Sequence, residues 1–180
     1  MTWRQRASRN VVEAVVAAFR DPAEASLRRL WAIRPHEWKQ SYHWLDSSGM
    51  ALYFLDQLES LHLESVLPAT TLSRLRGNLA DNRARSSAMF AEWASLNQSF
   101  QAAGLLYANL KGFSLSPESC PRPELRCQLD FDFLVDGAQL GLHRNLLGET
   151  GYELVAATLK SLEGTGFKVG FVNYDAQASP

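Results

Sequence analysis

The chain has 180 residues, 46% of them hydrophobic and 21% charged, with a net charge of −1. That size and balance suit one ordinary domain with a core or two small packed ones, and they carry no signature of a disordered chain. The near-zero charge excludes an overall basic field that would steer the protein to nucleic acid or an anionic membrane.

The first part of the chain reads as helices. Val11, Val12, Val15, Val16 and Phe19 recur at helical spacing. The same stretch, "VVEAVVAAF", resembles a signal-peptide core, but Glu13 interrupts it and "FRDPAEAS" looks like the start of another helix rather than a cleavage site. In that second helix Asp21 is the expected cap, Pro22 the first position and Glu24 a favourable charge near the positive end of the dipole, with Leu27, Leu30 and Trp31 on the apolar face. Pro35 opens a third helix carrying Trp38, Tyr42 and Leu45, and "DSSG" closes it. Met50 to Leu61 gives a fourth, and Pro68 marks the next break. Beyond it come Leu72, Leu75 and Leu79, then Met89, Phe90, Trp93, Leu96 and Phe100. The polar stretch between them, "LADNRARSS", is either a bend or the solvated part of one long helix.

At Gly104 the pattern changes. "GLLYANLKG" suits a strand closed by a turn. "SLSPESCPRPE" reads as a loop with a helical turn starting at Pro117, and "CQLDFDFLV" as a second strand. Asp136 caps a helix with Leu140, Leu142, Leu146 and Leu147. "GETGYELVAAT" begins a third strand after Gly151, and "GFKVGFVNYD" is a fourth. The expected fold is α+β: an N-terminal helical region over residues 1–86 arranged as a bundle, then a small mixed β-sheet core over residues 87–180. No apolar run is long enough to span a bilayer, so a cytoplasmic protein without a membrane partner is expected. Cys120 and Cys127 are too few for a disulfide framework or a four-ligand zinc site and read as reduced thiols.

The second strand carries the chemistry. Residues two apart share a strand face, so Asp130, Asp132 and Leu134 point one way, and Leu129, Phe131, Phe133 and Val135 point the other way into a core. Two carboxylates on one face either sit in solvent, paired with Arg126, or share a hard cation. Mg²⁺, or Mn²⁺, suits the second case, because it binds one or two carboxylates, several waters and substrate phosphate oxygens. Upstream, Gly112 lets the backbone turn tightly, Lys111 supplies a positive charge, and Ser114 a hydroxyl. Such a turn is either an ordinary exit from a strand or a phosphate cradle.

"GLLYANLKGFSLS", then Arg126, "DFDFLV" and a later "GY" together resemble the bacterial nucleotidyltransferase-like proteins, within the polymerase-beta-like nucleotidyltransferase superfamily. The resemblance covers roughly residues 87–155. It implies that Lys111, Gly112 and Ser114 lie against the triphosphate, that Asp130 and Asp132 hold Mg²⁺, and that Arg126 orients a carboxylate or phosphate. The implied reaction moves a nucleoside monophosphate from a nucleoside triphosphate to an acceptor, whether protein, RNA or small molecule. Active members add a third carboxylate on a later strand. Of the later acids, Asp136, Glu149, Glu153, Glu163 and Asp175, the candidate is Asp175. The chain is shorter than the members it resembles, which makes it a minimal enzyme, a catalytically weak or inactive binding module, or a subunit whose partner completes the site.

Other residues point to structure. His36, His43, His62 and His143 lack tight ligand spacing. Trp3, Trp31, Trp38, Trp44 and Trp93 read as core, or as a partner surface if exposed. Arg74, Arg76, Arg83 and Arg85 read as a solvated face or as the lining for an acidic substrate or RNA. No nucleophile-elbow spacing suggests a hydrolase.

Overall fold

The computed structural model describes residues 7–161 and 168–176, with side chains through Glu153. Trp3 and Glu163 lie outside the described residues. Among the described residues, six α-helices and four strands run in the order α1 (Arg9–Ala18), α2 (Ala23–Trp31), α3 (Pro35–Ser47), α4 (Ala51–Ser60), α5 (Ala69–Ala102), β1 (Tyr107–Leu110), β2 (Asp132–Val135), α6 (Leu140–Glu149), β3 (Tyr152–Ser161) and β4 (Lys168–Ala176). The class is α+β, as the sequence implies. No helix among the described residues is long and apolar enough to cross a membrane.

The chain divides into two compact units: residues 1–87 with 122–127, and residues 88–121 with 128–180. The division falls inside α5. In the first unit, Val11, Val15, Leu30, Trp38, Leu45, Phe54, Leu55, Leu58 and Leu75 are almost fully buried, and Trp38 stacks on Phe54 at 6.0 Å. Pro35 takes the first position of α3, as its fixed φ favours. Glu37, in the first turn of α3, accepts hydrogen bonds from the Arg34 backbone N–H (3.0 Å), Asn10 Nδ2 (2.8 Å) and Ser8 Oγ (2.8 Å). These donors stabilise the carboxylate, the Arg34 amide most, and lower its pKa to about 2. The segment 122–127 belongs to this core through Leu125, which is 2% exposed. Asn82 Nδ2 fastens it by donating to the carbonyls of Glu124 (2.6 Å) and Arg126 (3.1 Å), and Arg122 pairs with Asp56.

Several helical expectations change. α2 starts at Ala23 with Pro22 at its cap, and the Asp21 carboxylate instead pairs with Arg20 and Arg29. Trp31 is 76% exposed, and Val16 and Phe19 also face solvent, because Ala14, Ala17 and Ala18 supply the buried face of α1. The polar stretch 79–87 is part of one continuous helix: Leu75, Leu79, Asn82 and Ser86 are buried at helical spacing through it.

In the second unit, β1 and β2 pair antiparallel, with Tyr107 opposite Val135 and Leu110 opposite Asp132. Phe100 of α5 meets Tyr107 at 5.2 Å, Phe133 at 5.2 Å and His143 at 5.0 Å, all edge-on. Each such pair adds about 0.5–1.5 kcal/mol beyond its buried area. Trp93 Nε1 donates to Asn109 Oδ1 (2.9 Å), Asn109 Nδ2 to Asn97 Oδ1 (2.7 Å), and Asn97 Nδ2 back to the Trp93 carbonyl (2.7 Å), fixing β1 on α5. β3 and β4 form a separate antiparallel pair, with Glu153 opposite Asp175.

Here too the elements are redrawn. The second strand begins at Asp132 rather than Cys127, and Leu129 is 76% exposed rather than in the core. The helical turns in the preceding loop are at Gly112–Leu115 and Pro123–Leu125, not at Pro117. Asp136 caps a 3₁₀ turn at Gly137–Gln139, accepting from the Ala138 N–H (3.0 Å), and this turn leads into α6. In α6 Leu142 is exposed while His143 is 2% exposed, its Nδ1 3.0 Å from the Gln139 carbonyl.

Candidate functional site

The site begins where β1 ends. Leu110 is the last residue paired with β2, and Lys111 then turns the chain with φ +56° and ψ −159°. That backbone region is sparsely populated for a side-chain-bearing residue and costs on the order of 1–3 kcal/mol. The turn bends the chain out of the ladder, and Lys111 Nζ comes 3.3 Å from Asp132 Oδ2. Lys111 is largely exposed and Asp132 one-fifth exposed, so this is an ion pair at the rim of the sheet. Ser114, inside the 3₁₀ turn, donates from Oγ to the Lys111 carbonyl (2.6 Å), as does its own backbone N–H (3.0 Å). Gly112 and Phe113 open the 3₁₀ turn, and the first N–H groups of such a turn have no partner within it. N–H groups at the start of a turn, beside an ammonium, favour an anion.

Gly112 is buried at φ +51°, and a Cβ there would lie 2.5 Å from Gln128 Nε2. Gln128, 6% exposed, donates from that nitrogen to the Asp130 carbonyl. Asp130 itself is exposed and precedes β2. Phe113 packs edge-on against Phe90 at 5.5 Å and at a tilt against Phe131 at 6.3 Å, which anchors both approaches to the site.

The residues expected from sequence therefore divide. Lys111 meets Asp132 directly, Ser114 braces Lys111, and Gly112 is joined through Gln128 to the backbone of Asp130. Arg126 belongs to the first unit, where its carbonyl is held by Asn82. Asp175 is on β4, and its side chain lies outside the described residues. Among the described residues no group of three or more His, Cys, Asp or Glu converges to hold a metal ion. Two carboxylates remain, and they suit a cation that takes its other oxygens from water and phosphate. The arginine run is tied to acids instead of lining an open positive groove: Arg74 pairs with Asp46 and Arg76 with Glu59. Arg85 does line a cleft of about 360 Å³ in the first unit, with Asp46, Asp81, Asn82 and the exposed Cys127, whose Sγ is 2.9 Å from its guanidinium.

In the second unit, Gln128 was given no role from sequence, and Tyr152 entered only as part of the family resemblance. Gln128 has the same strand parity as the aspartates, which was its signal. Tyr152, the tyrosine of the "GY" pair, donates its hydroxyl to Glu92 of α5, and burial first, then this carboxylate, raise its pKa.

No curated protein and no solved structure matches the chain. The sequence profile of a family described as "uncharacterised nucleotidyltransferase" matches residues 34–171, taking in α3, α4 and α5 as well as the Lys-Gly turn and the aspartates. On a match over most of its length, the chain belongs to this nucleotidyltransferase family.

Proposed function

We propose that the chain transfers a nucleoside monophosphate from a nucleoside triphosphate to a hydroxyl-bearing acceptor, with Mg²⁺ or Mn²⁺ held by Asp130 and Asp132. The observation that carries this reading is the 3.3 Å pairing of Lys111 with Asp132 at the end of the β1–β2 ladder. A cation for phosphate and a carboxylate for metal meet at one point, and phosphate must touch both. In the reaction, the acceptor oxygen attacks the alpha-phosphorus, the bond to the beta-phosphate bridging oxygen breaks, and pyrophosphate leaves. The hydroxyl proton passes to a base, for which Asp175 is the candidate, or to water. The bound cation would lower the charge on the attacking and leaving oxygens. Lys111 and the N–H groups at the start of the 3₁₀ turn would hold the phosphate oxygens, and Ser114 keeps Lys111 in its turn. The side chains thus position and neutralise charge.

The test is pyrophosphate release from each of the four nucleoside triphosphates, with candidate protein, RNA and small-molecule acceptors. Release should require divalent metal and fall by at least a hundredfold in Asp130→Asn and Asp132→Asn. Release that is unchanged in both variants would remove the aspartates from the reaction. Metal-dependent nucleotide binding without release for any acceptor would instead favour a binding module or a subunit that needs a partner.

A further inference from the structure

We infer that Gln128 is a positioning residue for the metal-binding carboxylates, a side-chain amide that completes the β1–β2 ladder where the backbone abandons it. The inference deepens the nucleotide-transfer reading and rests on it for the role of Asp130.

The ladder pairs Tyr107 with Val135, Ala108 with Leu134, Asn109 with Phe133 and Leu110 with Asp132. Carried two residues further, the same register would set Gly112 opposite Asp130. The chain does not continue, because Lys111 turns away at φ +56°. Asp130 is thereby left two residues before the strand and without a ladder partner. The Gln128 amide fills that gap. Its Nε2 donates to the Asp130 carbonyl, as a partner strand's N–H would. Its Nε2, Cδ and Oε1 lie 2.5, 3.1 and 3.2 Å from where a Gly112 Cβ would be. One buried amide therefore touches both halves of the proposed site: the turn that carries Lys111 and the backbone that presents Asp130. This gives Gly112 a reason beyond its φ, because any side chain there would expel the amide.

A carboxylate held in place beforehand contributes more to metal binding than a loose one, which must be ordered on binding. Gln128→Met keeps the bulk and removes the donor, while Gln128→Ala removes both. In the full chain, with Mn²⁺ alone as the probe and free Mn²⁺ followed by electron paramagnetic resonance, both variants should bind about tenfold more weakly than wild type. Their far-ultraviolet circular dichroism should be unchanged. A residue that served folding alone would lower the melting temperature and leave Mn²⁺ affinity intact. Wild-type affinity in both variants, with binding abolished in Asp130→Asn, would overturn the inference and leave the nucleotide-transfer reading standing.

If the wild type binds neither Mn²⁺ nor a nucleoside triphosphate, that reading fails, and the clamp is judged by stability. Gly112→Ala should lower the melting temperature, and Gly112→Ala with Gln128→Ala should recover part of the loss. Melting shifts that simply add would overturn the clamp. Should Gly112→Ala not fold, the decision passes to whether Gln128→Met raises hydrogen exchange at residues 128–131, with no increase counting against it.

Discussion

Lys111 has two partners in prospect, and they make opposite demands on it. Without nucleotide its ammonium neutralises Asp132 at 3.3 Å and so competes with any cation for that carboxylate. Pairs this exposed contribute about 0.2–1 kcal/mol. Lys111→Ala should therefore tighten Mn²⁺ binding in the absence of nucleotide, by up to about fivefold. The same variant should weaken triphosphate binding by about tenfold or more, because a charge-assisted contact to phosphate is lost. Titrations with Mn²⁺ alone and with triphosphate check the two signs separately, and weakening of both would mean that Lys111 only supports the turn. Glu37 makes a different kind of prediction. Its pKa falls from 4.5 to about 2 on folding, so its stabilising contribution is complete above about pH 4.5 and is lost as pH falls towards 2. Glu37→Gln should melt below wild type by a constant margin from pH 7 to 5, and the margin should shrink below that. Thermal melts across this range measure it, and a margin still constant at pH 3 would refute the assignment. At this scale sequence alone was informative about Asp132 and Lys111, since charge and turn chemistry are local. For Gln128 it offered only strand parity, because the meaning of that residue depends on a glycine sixteen positions away in the chain.

Helices were easier to read than their faces. α5 looked divisible because an apolar count fails at Asn82 and Ser86, yet both are buried and continue the spacing of Leu75 and Leu79. A polar residue that finds partners, as Asn82 does in two carbonyls, occupies a core position without announcing it. Strand length was illegible for another reason. The sequence "CQLDFDFLV" is suited to a longer strand, but β2 can be no longer than β1 allows, and β1 ends at Leu110. Within α5, Gly77 is exposed, and a Cβ there would meet nothing within 4 Å. Gly77→Ala should stabilise the first unit by about 0.5–1 kcal/mol through the lower entropy of the unfolded chain and better helix propensity. Urea unfolding checks this, and a destabilised variant would show that the helix uses the glycine in some other way.

At the scale of the whole molecule, the six residues 122–127 pack with the first unit while their neighbours on both sides belong to the second. A fragment of residues 88–180 would keep Leu125, Arg122 and Arg126 but lose Asp56, Asn82 and the core that receive them. Its 122–127 segment should then be open to protease. Trypsin is blocked after Arg122 by Pro123, so cleavage is expected after Arg126 in the fragment and much more slowly there in the full chain. Mass spectrometry of timed digests decides it, and equal rates would mean that the segment is held equally well without the helices. The α+β class was readable from the change of periodicity at Gly104. The excursion of 122–127 was not, because a short Pro-rich loop with one buried leucine resembles any surface connection.

The contact between Gln128 and Gly112 also bears on how this chain can diverge. The dependence runs one way: a side chain at 112 is obstructed while the amide is present, whereas the amide can be lost with the glycine kept. A lineage that replaces the glycine must therefore move or lose the amide, so change at 112 is expected to follow change at 128. Relatives that have abandoned both would be those in which the first aspartate has ceased to matter, and that would separate lineages that retain the chemistry from those that retain only the fold.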